Sequence, residues 1–141
     1  MKQGAIDIHT HVEFAGTFAI LKKRYSEEEI FDRFIVSATG RHSAELNRGI
    51  MAGIRDALRD PQKKIRDMEE KGLAFNVLSS TPLAFLYEVE DDLAVELARF
   101  HNDQLSEMVK KYPDRFAAMA TLPLQVPDEA LKELTRATKT L

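Results

Sequence analysis

Apolar and polar residues alternate along Ala5-Ile6-Asp7-Ile8-His9, the two-residue period of a β-strand, and they do so almost from the first residue. Residues 12–59 follow a different pattern. Ser26 stands before Glu27-Glu28-Glu29 and then Ile30, Phe31 and Phe34, which predicts a capped helix start. A second helical stretch is expected after Ser43, so 12–59 reads as a helical excursion from a compact core. Asp60-Pro61 sets a good N-cap before a proline at the first helical position, and Ile65, Met68 and Glu69 lead to Gly72 as a stop. The apolar run 73–80, closed by Thr81 and Pro82, predicts a second strand buried on both faces. Leu93, Leu97, Leu105 and Met108 keep helical spacing over 91–112, and Pro113-Asp114 ends that helix. Residues 116–122 predict a third buried strand, and Pro127-Asp128-Glu129 opens a last helix with acidic residues in its first turn. Its apolar stripe, Ala130, Leu131, Leu134, Ala137 and Leu141, runs to the final residue without a glycine cap, so the chain is expected to stop in mid-structure.

Strands alternating with helices predict an α/β protein with a parallel sheet and right-handed crossovers, either open or closed into a barrel. Three strands leave both forms open. No internal repeat or low-complexity segment stands out, so the chain reads as one structural unit.

Composition narrows the function classes. With 44% hydrophobic and 30% charged residues in 141, a packed core is expected. Twenty basic against 23 acidic residues give a net charge of −3, and no basic block suggests nucleic-acid binding. The absence of cysteine removes disulfides, thiolate metal sites and cysteine nucleophiles, leaving His, Asp and Glu as metal ligands. No apolar leader or long apolar span is visible, so a cytoplasmic protein without membrane contact is expected.

The strand at the start carries the candidate chemistry. Strict alternation would place Asp7, His9 and His11 on one face and Ile6, Ile8 and Thr10 on the other. Three such side chains inside a covered sheet have unmet hydrogen-bonding needs unless they pair or bind a cation. Two neutral imidazoles and a carboxylate suit Zn²⁺ and similar ions, which lower the pKa of bound water and polarise substrate oxygens. The competing reading makes His9 and His11 two surface histidines at a strand end. The serines after the second strand, Ser79 and Ser80, with Thr81, fall at the strand end that carries active sites in α/β barrels. They are candidate substrate-binding residues, with turn formation as the alternative, and no G-x-S-x-G elbow surrounds them.

Asp7-Ile8-His9-Thr10-His11 resembles the first-strand D-x-H-x-H signature of the amidohydrolase superfamily, in the branch of aminocarboxymuconate-semialdehyde decarboxylase. The similarity continues through Asp60-Pro61, Ile65, Met68, Gly72, 78–82, Asn102, 112–116 and 122–125. It covers about residues 5 to 134, with little support between 12 and 59. It implies a (β/α)8 TIM barrel of which this chain supplies about the first three β/α units, as the N-terminal part of a single domain 1–141 with the excursion at about 12–59. It also implies one divalent metal, with Zn²⁺ expected, held by His9 and His11 with Asp7 as a ligand or supporting group. The family completes its site with a later-strand histidine, a final-strand aspartate and an acid–base histidine, none of which is found here. A barrel needs about 200–250 residues, so the chain is expected to be incomplete and prone to self-association, including homo-oligomers.

The implied activity is decarboxylation of a small carboxylated substrate, with hydrolysis or hydration as the alternative within the superfamily. A non-catalytic association module is the rival from another class. Arg41, Arg48 and Arg55, beside His42, are candidates to hold a substrate carboxylate, against the simpler reading of solvated helix charges. His101 and Asn102 are expected to be structural, and Glu27-Glu28-Glu29 to be a helix start.

Overall fold

A computed structural model describes residues 4–139. Strands β1 (Ala5–Val12), β2 (Leu73–Ser80) and β3 (Phe116–Ala118) form one parallel sheet in the order β1-β2-β3. Between β1 and β2 lie α1 (Ala15–Leu21), α2 (Glu27–Ile30), a π-helical turn (Phe31–Val36), α3 (Ser37–Thr39), α4 (Arg41–Arg59) and α5 (Pro61–Glu70). Helix α6 (Asp91–Lys111) connects β2 to β3, and α7 (Pro127–Lys139) follows.

Local chemistry explains the boundaries. Ser26 Oγ accepts the Glu29 amide at 3.2 Å while the Glu29 carboxylate takes the Ser26 amide at 2.7 Å, a reciprocal cap that starts α2. Asp60 caps α5 through the Gln62 amide at 2.8 Å, and Gly72, at φ +69°, turns the chain into β2. Helix α1 carries no such signal. Its Gly16 is required by close approach instead, because a Cβ there would lie 2.3 Å from the Phe100 ring.

Two apolar clusters hold these elements. Val12, Met68, Leu78, Leu105 and Phe116 fill the space between the sheet and helices α5 and α6. Ile20, Leu21, Tyr25, Ile30, Phe34, Val89, Leu93, Ala94 and Leu97 bind the excursion to α6. Each buried side chain of this size contributes roughly 1.5–3 kcal/mol through its removal from water.

Three expectations need correction. Strand β2 is buried on one face only: Asn76, Leu78 and Ser80 turn toward the helices, while Phe75, Val77 and Ser79 are half-covered. The third strand ends at Ala118, not at 122. With Leu78 opposite Ala118 and β2 ending at Ser80, residues 121 and 122 pass beyond their partner strand, and the last ladder bond is Met119 N–H to the Leu78 carbonyl at 2.8 Å. Helix α7 does not bury its leucines: Leu131 is 65% exposed, whereas Ala130 and Glu133 face inward. Glu133 tolerates burial because the Asn102 amide and Arg136 guanidinium bond its carboxylate at 2.6 and 2.8 Å. Burial opposes its ionisation, yet those bonds outweigh it and hold the carboxyl below its ordinary range. Leu141 lies outside the described residues.

Candidate metal centre

The ladder between β1 and β2 advances from Asp7 opposite Asn76 to Thr10 opposite Leu78, three steps on β1 against two on β2. This bulge breaks the strict alternation expected for the strand. Asp7 and Thr10, three residues apart, come to lie opposite residues of the helix-facing side, and Thr10 Oγ1 donates to Asp7 Oδ2 at 2.9 Å. The other carboxylate oxygen, Oδ1, accepts the His9 amide at 2.9 Å. The His9 amide and then the Thr10 hydroxyl lower the Asp7 pKa and keep the group ionised. Asp7 therefore does not share a face with the histidine pair, because the extra residue shifts the phase between them. Ile6 and Ile8, 62% and 70% exposed, are likewise not packed as a covered apolar face.

His9 and His11 do come together. Their Nε2 atoms are 3.1 Å apart with the rings edge to face at 87°. Two nitrogens each about 2.0–2.1 Å from one ion, at angles of about 90–110°, stand about 2.8–3.4 Å apart, so the observed spacing fits a shared cation. His11 lies opposite Ser79 in the ladder, and its Nδ1 is 3.1 Å from Ser79 Oγ. A proton on Nδ1 donated to that hydroxyl leaves the Nε2 lone pair free for a metal. Among the described residues, no group of three or more His, Asp or Glu side chains is placed to hold an ion. The chain offers two nitrogens.

The other candidates separate. Ser80 is buried on the helix-facing side, and Thr81 continues the pairing through its amide to the Val12 carbonyl at 3.1 Å. Only Ser79 of the three reaches the histidine pair. Arg41 pairs with Asp32 at 3.0 Å and Arg48 stacks over Phe31 at 4.1 Å, while Arg55 and His42 are exposed on α4. His101 is buried, with Nε2 2.8 Å from Thr17 Oγ1. The Asn102 amide grips the Thr121 backbone, donating to its carbonyl at 2.9 Å and accepting its amide at 2.8 Å.

Two features near the strand end had no signal in the sequence. Glu13 pairs with Arg59 at 2.8 Å and bonds the Leu58 carbonyl through its amide at 3.2 Å, tying the end of β1 to the end of α4. Lys64 of α5 is buried, and its ammonium donates to the His11 carbonyl at 3.1 Å. Burial pushes that ammonium below the usual lysine range. Both contacts join residues about fifty positions apart, beyond any local periodicity.

Parallel β/α units with two imidazoles converging from the first strand are an arrangement also found in metal-dependent barrel enzymes. No family model matches the chain. It is 31% identical over 138 residues to 2-amino-3-carboxymuconate-6-semialdehyde decarboxylase of Dictyostelium discoideum, covering 93% of this chain and 36% of that protein. It is 39% identical over 89 residues to gamma-resorcylate decarboxylase of Polaromonas sp., covering 62% of this chain and 27% of that protein. A solved dihydroxybenzoic acid decarboxylase from Polaromonas sp., with bound manganese and the inhibitor 2-nitroresorcinol, superposes with a TM-score of 0.70 at 27% identity, over 98% of this chain and 36% of the other. Over nearly its whole length the chain is similar to part of these decarboxylases, and its three parallel strands and their helices match β/α units of an amidohydrolase-type TIM barrel. It spans about a third of the length of the curated relatives it matches.

Among the described residues, no helix is long and apolar enough to cross a membrane.

Proposed function

We propose that the protein carrying this sequence is a metal-dependent decarboxylase of a small carboxylated aromatic substrate, with residues 1–141 forming the N-terminal part of one barrel domain. The observation that carries the proposal is the 3.1 Å convergence of His9 and His11 Nε2 at the barrel's first strand. It is supported by relatives that are decarboxylases, one of them solved with manganese. His9 and His11 would hold one divalent ion, and further ligands would come from residues outside this chain. The nitrogen pair suits Zn²⁺, and the manganese relative makes Mn²⁺ the alternative to be separated by metal analysis. When bound, the ion supplies Lewis-acid polarisation of a substrate oxygen.

The chain's own residues orient that site. Ser79 orients the His11 ring and can accept a hydrogen bond from a proton carried on Nδ1, while Asp7 braces the bulge beneath the two histidines. Asp7 retains a lone pair on each carboxylate oxygen beside its bonds to His9 and Thr10, and a ligand role for it requires the side chain to turn toward the histidine pair. Ser79→Ala is expected to weaken metal binding about 10-fold, as loss of a partner to a ligating histidine does, and metal titration of the variant reads this. Substrate is proposed to sit at this strand end beside Ser79 and Thr81, with Ser80 buried behind them on the helix-facing side.

The activity test is CO₂ release from hydroxybenzoate-type carboxylates by the whole protein before and after chelation. Turnover is expected to fall at least about 100-fold on metal removal and to return with Mn²⁺ or Zn²⁺. Undiminished turnover in the metal-free protein would sink the proposal. Hydrolysis of amides or esters without CO₂ release would replace decarboxylation with hydrolysis at the same pair.

A further inference from the structure

Lys64 is the only buried lysine among the described residues, with 8% of its surface exposed. An ammonium is rarely taken from water unless it is paired or hydrogen-bonded, so its partner is informative. That partner is a main-chain atom of the histidine strand: Lys64 Nζ lies 3.1 Å from the His11 carbonyl oxygen. Successive carbonyls alternate in direction along a strand, and the Val12 carbonyl points to β2, where it accepts the Thr81 amide. The His11 carbonyl therefore points away from β2, and among the described residues the donor that meets it comes from α5.

The position matters because the bulge between Asp7 and Thr10 interrupts the ladder just before His11. Ile8 and His9 have no Cα partner in the ladder, whereas His11 pairs with Ser79, so the alignment of the two rings depends on how firmly the His11 segment is held. His11 is held at both ends: the Ser79 hydroxyl meets its ring and the Lys64 ammonium meets its carbonyl. We propose that Lys64 is a positioning residue for the metal centre, pinning the His11 backbone across the bulge so that the His9 and His11 rings converge. The proposal rests on His9 and His11 being metal ligands and adds a residue from the helical layer, which neither the strand motif nor its spacing reveals.

The test is competition titration of Mn²⁺ and Zn²⁺ against a chelator on the whole protein, with the thermal midpoint of the metal-free form measured beside it. Lys64→Met keeps the aliphatic packing and removes the donor, and is expected to weaken metal binding about 10-fold or more. Lys64→Arg restores a donor of similar reach and is expected to stay within about threefold of wild type. A purely structural lysine gives a different result: Lys64→Met lowers the thermal midpoint and leaves metal affinity unchanged, which overturns the proposal. Should Lys64→Met fail to fold, Lys64→Gln carries the same test, since its shorter side chain keeps a polar tip but falls short of the His11 carbonyl. His11→Ala run in parallel separates the two layers. If it loses metal while Lys64→Met does not, the positioning role alone fails. If it binds metal as wild type does, the ligand pair fails and the positioning role with it.

Discussion

Replacing His11 by alanine is expected to weaken metal binding by about 10²–10³-fold while leaving the metal-free fold in place. A structural site of four ligands binds an ion with roughly 10–16 kcal/mol, so each ligand carries roughly 3–4 kcal/mol, which converts to that ratio. His9→Ala is expected to do the same, because the two Nε2 atoms stand 3.1 Å apart and each supplies one lone pair. The fold should tolerate both changes. His9 is exposed and His11 half-buried, neither belongs to an apolar cluster, and their removal empties no packed space. Metal content after dialysis and the thermal midpoint of the metal-free form check the two halves together. Full occupancy in either variant sinks the ligand assignment, whereas loss of metal with loss of fold would make these histidines structural instead. Turnover should fall with metal content.

The sequence made the local features legible and concealed those set by distant partners. Asp60-Pro61 and Gly72 announced α5 because capping and turn chemistry act within a few residues, and Ser26 with Glu29 announced α2 for the same reason. The bulge in β1 was invisible. Ile6, Ile8 and Thr10 against Asp7, His9 and His11 is a flawless two-residue period, and only the register against β2, almost seventy residues away, inserts the extra residue. The end of β3 was hidden similarly, since Thr121 looks like strand until its amide is seen to bond Asn102 Oδ1 rather than a neighbouring strand. Helix α7 gave the sharpest reversal. Leu131 and Leu134 suggest a buried stripe, yet the inward position belongs to Glu133, whose carboxylate is satisfied by residues of two helices. The histidine pair was legible as a pair, but its support by Ser79 and Lys64 was not.

Acidification from pH 7 to pH 4 is expected to remove roughly 3 kcal/mol of stability through His101 alone. Burial pushes its pKa down from 6.5 to about 4, with desolvation as the sole cause, because the ring sits against Phe14 and Phe100 with Thr17 Oγ1 on Nε2. Its Nδ1 is buried without a partner, so a proton added there would be stranded. The direction follows from proton counting. Between pH 6.5 and 4 the unfolded chain takes up a proton at this residue and the folded chain does not, so stability falls as the pH falls through that window. Below about pH 4 both states carry the proton and this contribution flattens. The fall from 6.5 to about 4, at about 1.36 kcal/mol for each tenfold change in proton affinity, gives the stated size. Carboxylates held low, Glu133 among them, also lose stability on acidification, and they do so in any variant that retains them. Denaturant midpoints of the whole protein should therefore be compared with those of His101→Gln, which keeps a polar tip near Thr17 but does not titrate. The gap between the two should narrow steadily from pH 6.5 to pH 4 and then stay constant. Parallel pH profiles would show that His101 is solvated in the folded state. Because this histidine joins α6 to α1, its protonation should first loosen the helices that follow the histidine strand, and hydrogen exchange in residues 15–21 should rise before that in β2.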